Sequence, residues 1–82
     1  MKEDNDNMYK TTDFYLSAFL IARGYECSVE KGKRSDFNFC FEKNDQLKED
    51  KEAYFSQGLV GALAFKNAIR DLKSRMKNYE YE

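Results

Sequence analysis

Between Gly61 and Asn78, apolar residues recur at Ala62, Phe65, Ile69, Leu72, Met76 and Tyr79, at alternating spacings of three and four. That spacing predicts one face of an α-helix, an apolar stripe that another layer must cover. Beside it run Lys66, Arg70, Lys73 and Lys77, at i, i+4, i+7 and i+11, a stripe of like charge that belongs in water. One helix thus carries both a seam of the core and a cationic face. Any fold for this chain must place a partner on one side of that helix and leave the other side open.

The chain has 82 residues, enough for one domain. Seven Phe and six Tyr, with no Pro and no Trp, make a small core feasible without staples. The margin of a domain this small is thin, which keeps a homodimer open. The formal net charge of −1 gives no global pull toward nucleic acid or acidic membranes. Charge is nevertheless segregated. Met1–Asn7 sets Lys2 against Glu3, Asp4 and Asp6, whereas Lys66–Lys77 sets Lys66, Arg70, Lys73, Arg75 and Lys77 against Asp71 alone. The segment Lys31–Ser35 adds Lys31, Lys33 and Arg34.

Taken in order, residues 1–8 read as a flexible acidic N-terminal segment, residues 9–79 as a single compact domain and residues 80–82 as a tail. Met8-Tyr9-Lys10 reads as a short extended lead-in. Thr11 or Thr12 is a natural N-cap for a helix from about Asp13 to Arg23, ending at Gly24, the residue suited to a left-handed C-cap. Its polar residues are only Asp13, Ser17 and Arg23, so it is expected to be the central helix. Tyr25–Glu30 alternates apolar and polar, as do Phe37, Phe39 and Phe41 against Asn38, Cys40 and Glu42. Period two on both sides of Lys31-Gly32-Lys33-Arg34-Ser35 predicts a hairpin. Registers with an even residue-number sum, such as 66 or 64, keep both apolar rows on one face; an odd sum puts one row in water. Asn44 or Asp45 can cap a second helix from about Gln46 to Ser56, with Leu47, Lys51, Tyr54 and Phe55 inward, broken at Gln57-Gly58.

The fold class expected is therefore α+β, in the order α-β-β-α-α, an antiparallel two-stranded hairpin packed against three helices, with room for a third short strand. No run approaches the roughly 18 apolar residues of a membrane span. The apolar patch Phe14–Ala22 follows acids rather than the positive start of a signal peptide. The expectation is a cytoplasmic protein without a membrane partner.

Catalytic chemistry finds little footing. Cys27 and Cys40 fall on opposite faces of the hairpin, a poor geometry for a disulfide. Two thiols without any His form neither a common structural zinc set nor a Cys–His nucleophile. The acids cluster in solvated groups such as Glu49, Asp50 and Glu52. Gly58 to Gly61 lacks the Gly-Lys-Ser/Thr of a phosphate loop. No catalytic residue, metal site or cofactor is expected. Phe37, Phe39 and Phe41 could stack bases, but a ribbon with no other apolar face needs them for the core. The candidate binding residues are Lys66, Arg70, Lys73, Arg75 and Lys77 of the last helix with Lys31, Lys33 and Arg34 of the turn. They are placed to grip phosphates or an acidic protein surface, against the bland alternative of a solvated helix face. The hairpin's free edges offer a strand-addition route to a protein partner instead.

Two motifs carry a resemblance. One is Tyr9-Lys10-Thr11-x-Asp13-Phe14-Tyr15-Leu16-x-Ala18-Phe19-Leu20-x-x-x-Gly24-Tyr25. The other is Ala62-Leu63-x-Phe65-x-x-Ala68-Ile69-x-x-Leu72-Lys73-x-Arg75, with Phe39-x-Phe41 between them. Together they resemble an uncharacterised family of small domains found in bacteria, phages and integrated mobile elements, often near replication genes. The match spans about Tyr9 to Met76 and carries no catalytic residues over. It implies an accessory protein of a mobile element that acts by binding. The basic helix and turn make nucleic acid or a nucleoprotein complex the expected target; the alternative, from small size, absent catalytic chemistry and the resemblance, is an anti-CRISPR-like inhibitor that docks on a host defence protein.

Overall fold

The computed structural model describes residues 7–32 and 36–80. The expectations for Met1–Asp6, for Lys33 and Arg34, and for Tyr81 and Glu82 lie outside the described residues. The order of elements is β1 (Met8–Thr11), α1 (Phe14–Ala22), β2 (Ser28–Lys31), β3 (Phe37–Glu42), α2 (Asp45–Phe55) and α3 (Ala62–Glu80). The class is α+β, and the lead-in is a true strand: the hairpin is completed into a three-stranded antiparallel sheet of order β1-β3-β2.

Local chemistry explains each boundary. Asp13, rather than Thr11 or Thr12, caps α1, its Oδ1 accepting from Leu16 N–H at 3.0 Å. Thr11 Oγ1 in turn accepts from Asp13 N–H at 3.1 Å, so the threonine supports the cap instead of forming it. Asn44 Oδ1 caps α2 by accepting from Leu47 N–H at 2.8 Å. Both helices end in the same motif. After α1, Tyr25 N–H reaches back to the Leu20 carbonyl with Gly24 at φ 107°. After α2, Gly58 N–H reaches the Ala53 carbonyl, and the left-handed position falls on Gln57 at φ 65°. A side chain at Gly58 is excluded for a different reason: a Cβ there would lie 2.7 Å from the Ala53 carbonyl oxygen.

The hairpin obeys the parity rule but uses neither of the two registers named from the sequence. Val29 lies opposite Phe39 and Lys31 opposite Phe37, a residue sum of 68. Gly32 N–H closes the ladder on the Asp36 carbonyl, leaving a connection of three residues. β2 starts at Ser28, so Tyr25 is not in the ring row. The residue opposite Phe41 is Tyr9 of β1.

Directly opposed residues share a face. One face therefore holds Tyr9, Thr11, Val29, Lys31, Phe37, Phe39 and Phe41 and lies under α1 and α3. Phe39 and Phe41 are sealed together with Leu16, Leu20 and Leu72. Phe37 is half-buried beneath the Tyr79 ring, at a centroid distance of 5.9 Å. α1 is buried continuously from Leu16 to Leu20, as expected of a central helix, and Ser17 Oγ is satisfied by the Asp13 carbonyl at 2.8 Å. On α3 the covered seam is Phe65, Ala68, Ile69, Leu72 and Met76, whereas Ala62 is exposed. The opposite sheet face is polar. A Lys10–Glu30 ion pair of 2.9 Å spans it, and Cys40 lies buried on that same face.

Two variants test this packing. Leu72→Ala removes a fully buried side chain and is expected to cost about 2–5 kcal/mol. Gln57→Gly relieves a left-handed non-glycine residue and is expected to stabilise by about 0.5–1 kcal/mol. Urea unfolding midpoints read both.

Candidate nucleic-acid interface

Lys66, Arg70, Lys73 and Lys77 are all exposed on α3. At 3.6 residues per turn they occupy an arc of roughly 60° and a length of about 16 Å. They form one straight cationic row that flanks the covered seam, centred roughly 120° around the helix from it. Lys77 also lies in the last turn, where a cation complements the helix dipole. The Phe37–Tyr79 contact brings the base of the β2–β3 turn beside the C-terminal end of α3. Lys31, opposite Phe37 and exposed, therefore sits at the Lys77 end of the row.

Arg75 is placed differently. It projects about 180° from Lys66 around the helix. Its guanidinium donates through Nη1 to the Cys27 carbonyl and pairs through Nη2 with Asp71 at 3.1 Å. It ties α3 to the residue just before β2, and its role in the structure is to hold that junction. A second group of lysines stands at the other end of the chain's fold. Lys43, Lys48 and Lys51 rim a groove of about 260 Å³ with Tyr9 and Leu47, and the Lys51 ammonium lies 3.9 Å from the Tyr9 ring centroid.

The polar centre that sequence reasoning missed is Arg23–Asp50–Tyr25. Asp50 is only 5% exposed. Its Oδ1 accepts from Arg23 Nη1 at 2.6 Å and its Oδ2 from Tyr25 OH at 2.6 Å. Arg23 also donates from Nη2 to the Leu59 carbonyl at 3.1 Å and stacks 4.7 Å over the Phe19 ring. The signal was present in the spacing: Leu47, Asp50 and Tyr54 are the inward seam of α2, while Phe55, expected inside, is 70% exposed. The cluster joins the end of α1, the middle of α2 and the loop before α3. A hollow of about 400 Å³ opens beside it, its further walls including Glu26, Glu42 and Asn44.

The Tyr25 hydrogen bond, with help from Arg23, holds the Asp50 carboxyl below the usual carboxylate range. Burial, and then the Asp50 acceptor, push the Tyr25 phenol up to about 12. The cluster is a satisfied structural lock. Cys27 and Cys40 are free thiols; burial raises Cys27 to about 11 and raises Cys40 as well, which disfavours the thiolate in both. Among the described residues no three His, Cys, Asp or Glu converge as a metal-binding group. No helix in the described residues is long and apolar enough to cross a membrane.

The lock has a pH signature. Tyr25 ionises more easily unfolded than folded, so its contribution is complete below about pH 10 and is lost as pH rises toward about 12. Tyr25→Phe is expected to cost about 1 kcal/mol near neutrality, the gap to wild type closing across that alkaline window. Asp50 is the reverse: its contribution is present above the ordinary carboxylate range and is lost as pH falls through its lowered folded value. Asp50→Asn is expected to flatten that acid limb. Urea unfolding as a function of pH measures both.

No curated protein and no solved structure matches this chain. Residues 6–79 match DUF5659, a domain of unknown function, and the protein belongs to that family.

Proposed function

We propose that this protein is a small non-enzymatic accessory module of a phage or mobile element, working in the cytoplasm, that binds nucleic acid through the outer row of α3. The observation that carries the reading is the four-cation row Lys66, Arg70, Lys73 and Lys77, exposed along one line of a helix whose other side is fixed in the core. A rigid row of cations about 16 Å long meets several phosphates of one backbone at once. Such contacts position without reading sequence, so the binding expected is weakly sequence-selective. Lys31 extends the row at its Lys77 end. Arg75 stands apart as a positioning residue that keeps α3 on the sheet edge.

The non-enzymatic part of the reading is supported by the state of the reactive groups. The buried carboxylate is held by two donors, and both thiols are pushed away from the thiolate. The mobile-element setting rests on the resemblance of the two flanking motifs.

Fluorescence anisotropy with labelled single- and double-stranded DNA and RNA tests the proposal. With about four phosphate contacts, affinity is expected to fall roughly 50- to 150-fold between 50 and 200 mM salt. The triple variant Lys66→Glu, Arg70→Glu, Lys73→Glu is expected to lose binding while keeping the wild-type melting curve. Binding that ignores salt, or that is absent at tens of micromolar protein, contradicts the reading.

A further inference from the structure

Ala53–Phe65 contains no Asp, Glu, Lys or Arg, in a chain of which 35% is charged. Phe14–Ala22 is equally free of charge. The fold brings these two stretches together: the Phe19 and Tyr54 rings lie 5.4 Å apart, and the Tyr54 and Phe55 rings 5.0 Å apart. Uncharged, apolar stretches are ordinarily explained by burial. Here much of the surface they form faces water. Phe55 is 70% exposed, Leu59 85%, Leu63 67% and Tyr15 55%. Beside them a groove of about 310 Å³ is walled by Phe19, Tyr54, Val60, Ala62 and Phe65, with Leu59 on its border.

We propose that this face is the interface of a two-fold homodimer, in which Leu59 and Phe55 of each copy fill the groove of the other. Three observations select a second copy as the occupant. First, the projecting side chains and the groove belong to the same patch, which is the self-complementarity a two-fold interface requires. Second, the one charge that touches the patch, Arg23, is paired with Asp50 at 2.6 Å, and Glu52 and Lys66, both exposed, flank the uncharged stretch in sequence with opposite signs, so two copies meet without net repulsion. Third, the area is of the right order: the exposed side chains of Phe55, Leu59 and Tyr15 alone present roughly 400 Å², about half of the ~800 Å² per partner in a standard-sized interface.

The presentation of Leu59 adds to this. Its carbonyl is clamped by Arg23 at 3.1 Å, and the preceding turn is closed by Gly58 N–H on the Ala53 carbonyl. The leucine is displayed from an anchored loop, with its side chain exposed. A preorganised apolar anchor beside a groove is the arrangement that lowers the ordering cost of association.

Sedimentation velocity on the whole chain, without nucleic acid, tests the interface independently of the basic-row reading. Between about 1 and 200 µM, wild type is expected to shift from 9.7 kDa to twice that mass, as mass action requires, and to stop there because a two-fold interface closes. Leu59→Asp and Phe55→Asp, both at exposed positions, are expected to keep the wild-type circular dichroism spectrum and to remain monomeric throughout. A wild type that stays monomeric at the top of the range overturns the proposal. Assembly beyond the dimer overturns it too, as does a Leu59→Asp chain that dimerises like wild type.

Discussion

Covering the ring-bearing face of the sheet is the constraint on which the rest depends. Three short strands offer Phe37, Phe39, Phe41, Val29 and Tyr9 on one side and polar residues on the other. A sheet this small has no independent stability; it must be capped on its apolar side. α1 and α3 do this together, and their own stripes are satisfied by the same act. Because α3 is held by its inner seam, its outer residues are fixed in direction. The cationic row inherits its rigidity from the phenylalanines beneath it.

The same economy governs the polar centre. Arg23, Asp50 and Tyr25 join three segments, and both carboxylate oxygens of Asp50 meet a donor at 2.6 Å. Removing one member strands the others, which is why buried polar groups of this kind act as specific ties rather than as a general source of stability. Arg75 serves a parallel purpose at the opposite end, joining α3 to the residue before β2. Two arginines are thus committed to architecture, and the lysines carry most of the cationic surface.

Much of this was readable in the residues. The 3.6-residue period of α3, the helix stop at Gly24 and the outward cations follow from spacing alone. The period-two rows require an even register, and burial enforces it. What spacing could not supply was the number of residues in the turn, which set the sum at 68 rather than 66. The partner of Phe41 was also out of reach, because a four-residue strand such as Met8–Thr11 has too few positions to show alternation. Asp50 was assigned to solvent because charge is normally a reliable sign of exposure. Its inward spacing with Leu47 and Tyr54 was the competing sign, and it won because Arg23 and Tyr25 were there to receive it. Phe55 failed in the opposite sense: an aromatic residue is usually inside, yet here it projects from the end of α2. The membership in DUF5659 is consistent with the extent of the resemblance drawn from the flanking motifs, which spans nearly the same residues.

The central claim is that α3 presents a fixed cationic row to a polyanion while its other side holds the sheet. Backbone amide shifts of the ¹⁵N-labelled chain, recorded while a short DNA duplex is added, test it residue by residue. The account predicts salt-sensitive shifts concentrated at Lys66, Arg70, Lys73 and Lys77, with Lys31 at their end, and little change at Phe39, Phe41 and Leu72. Shifts centred instead on Lys43, Lys48 and Lys51, or none at any lysine of α3, would contradict it.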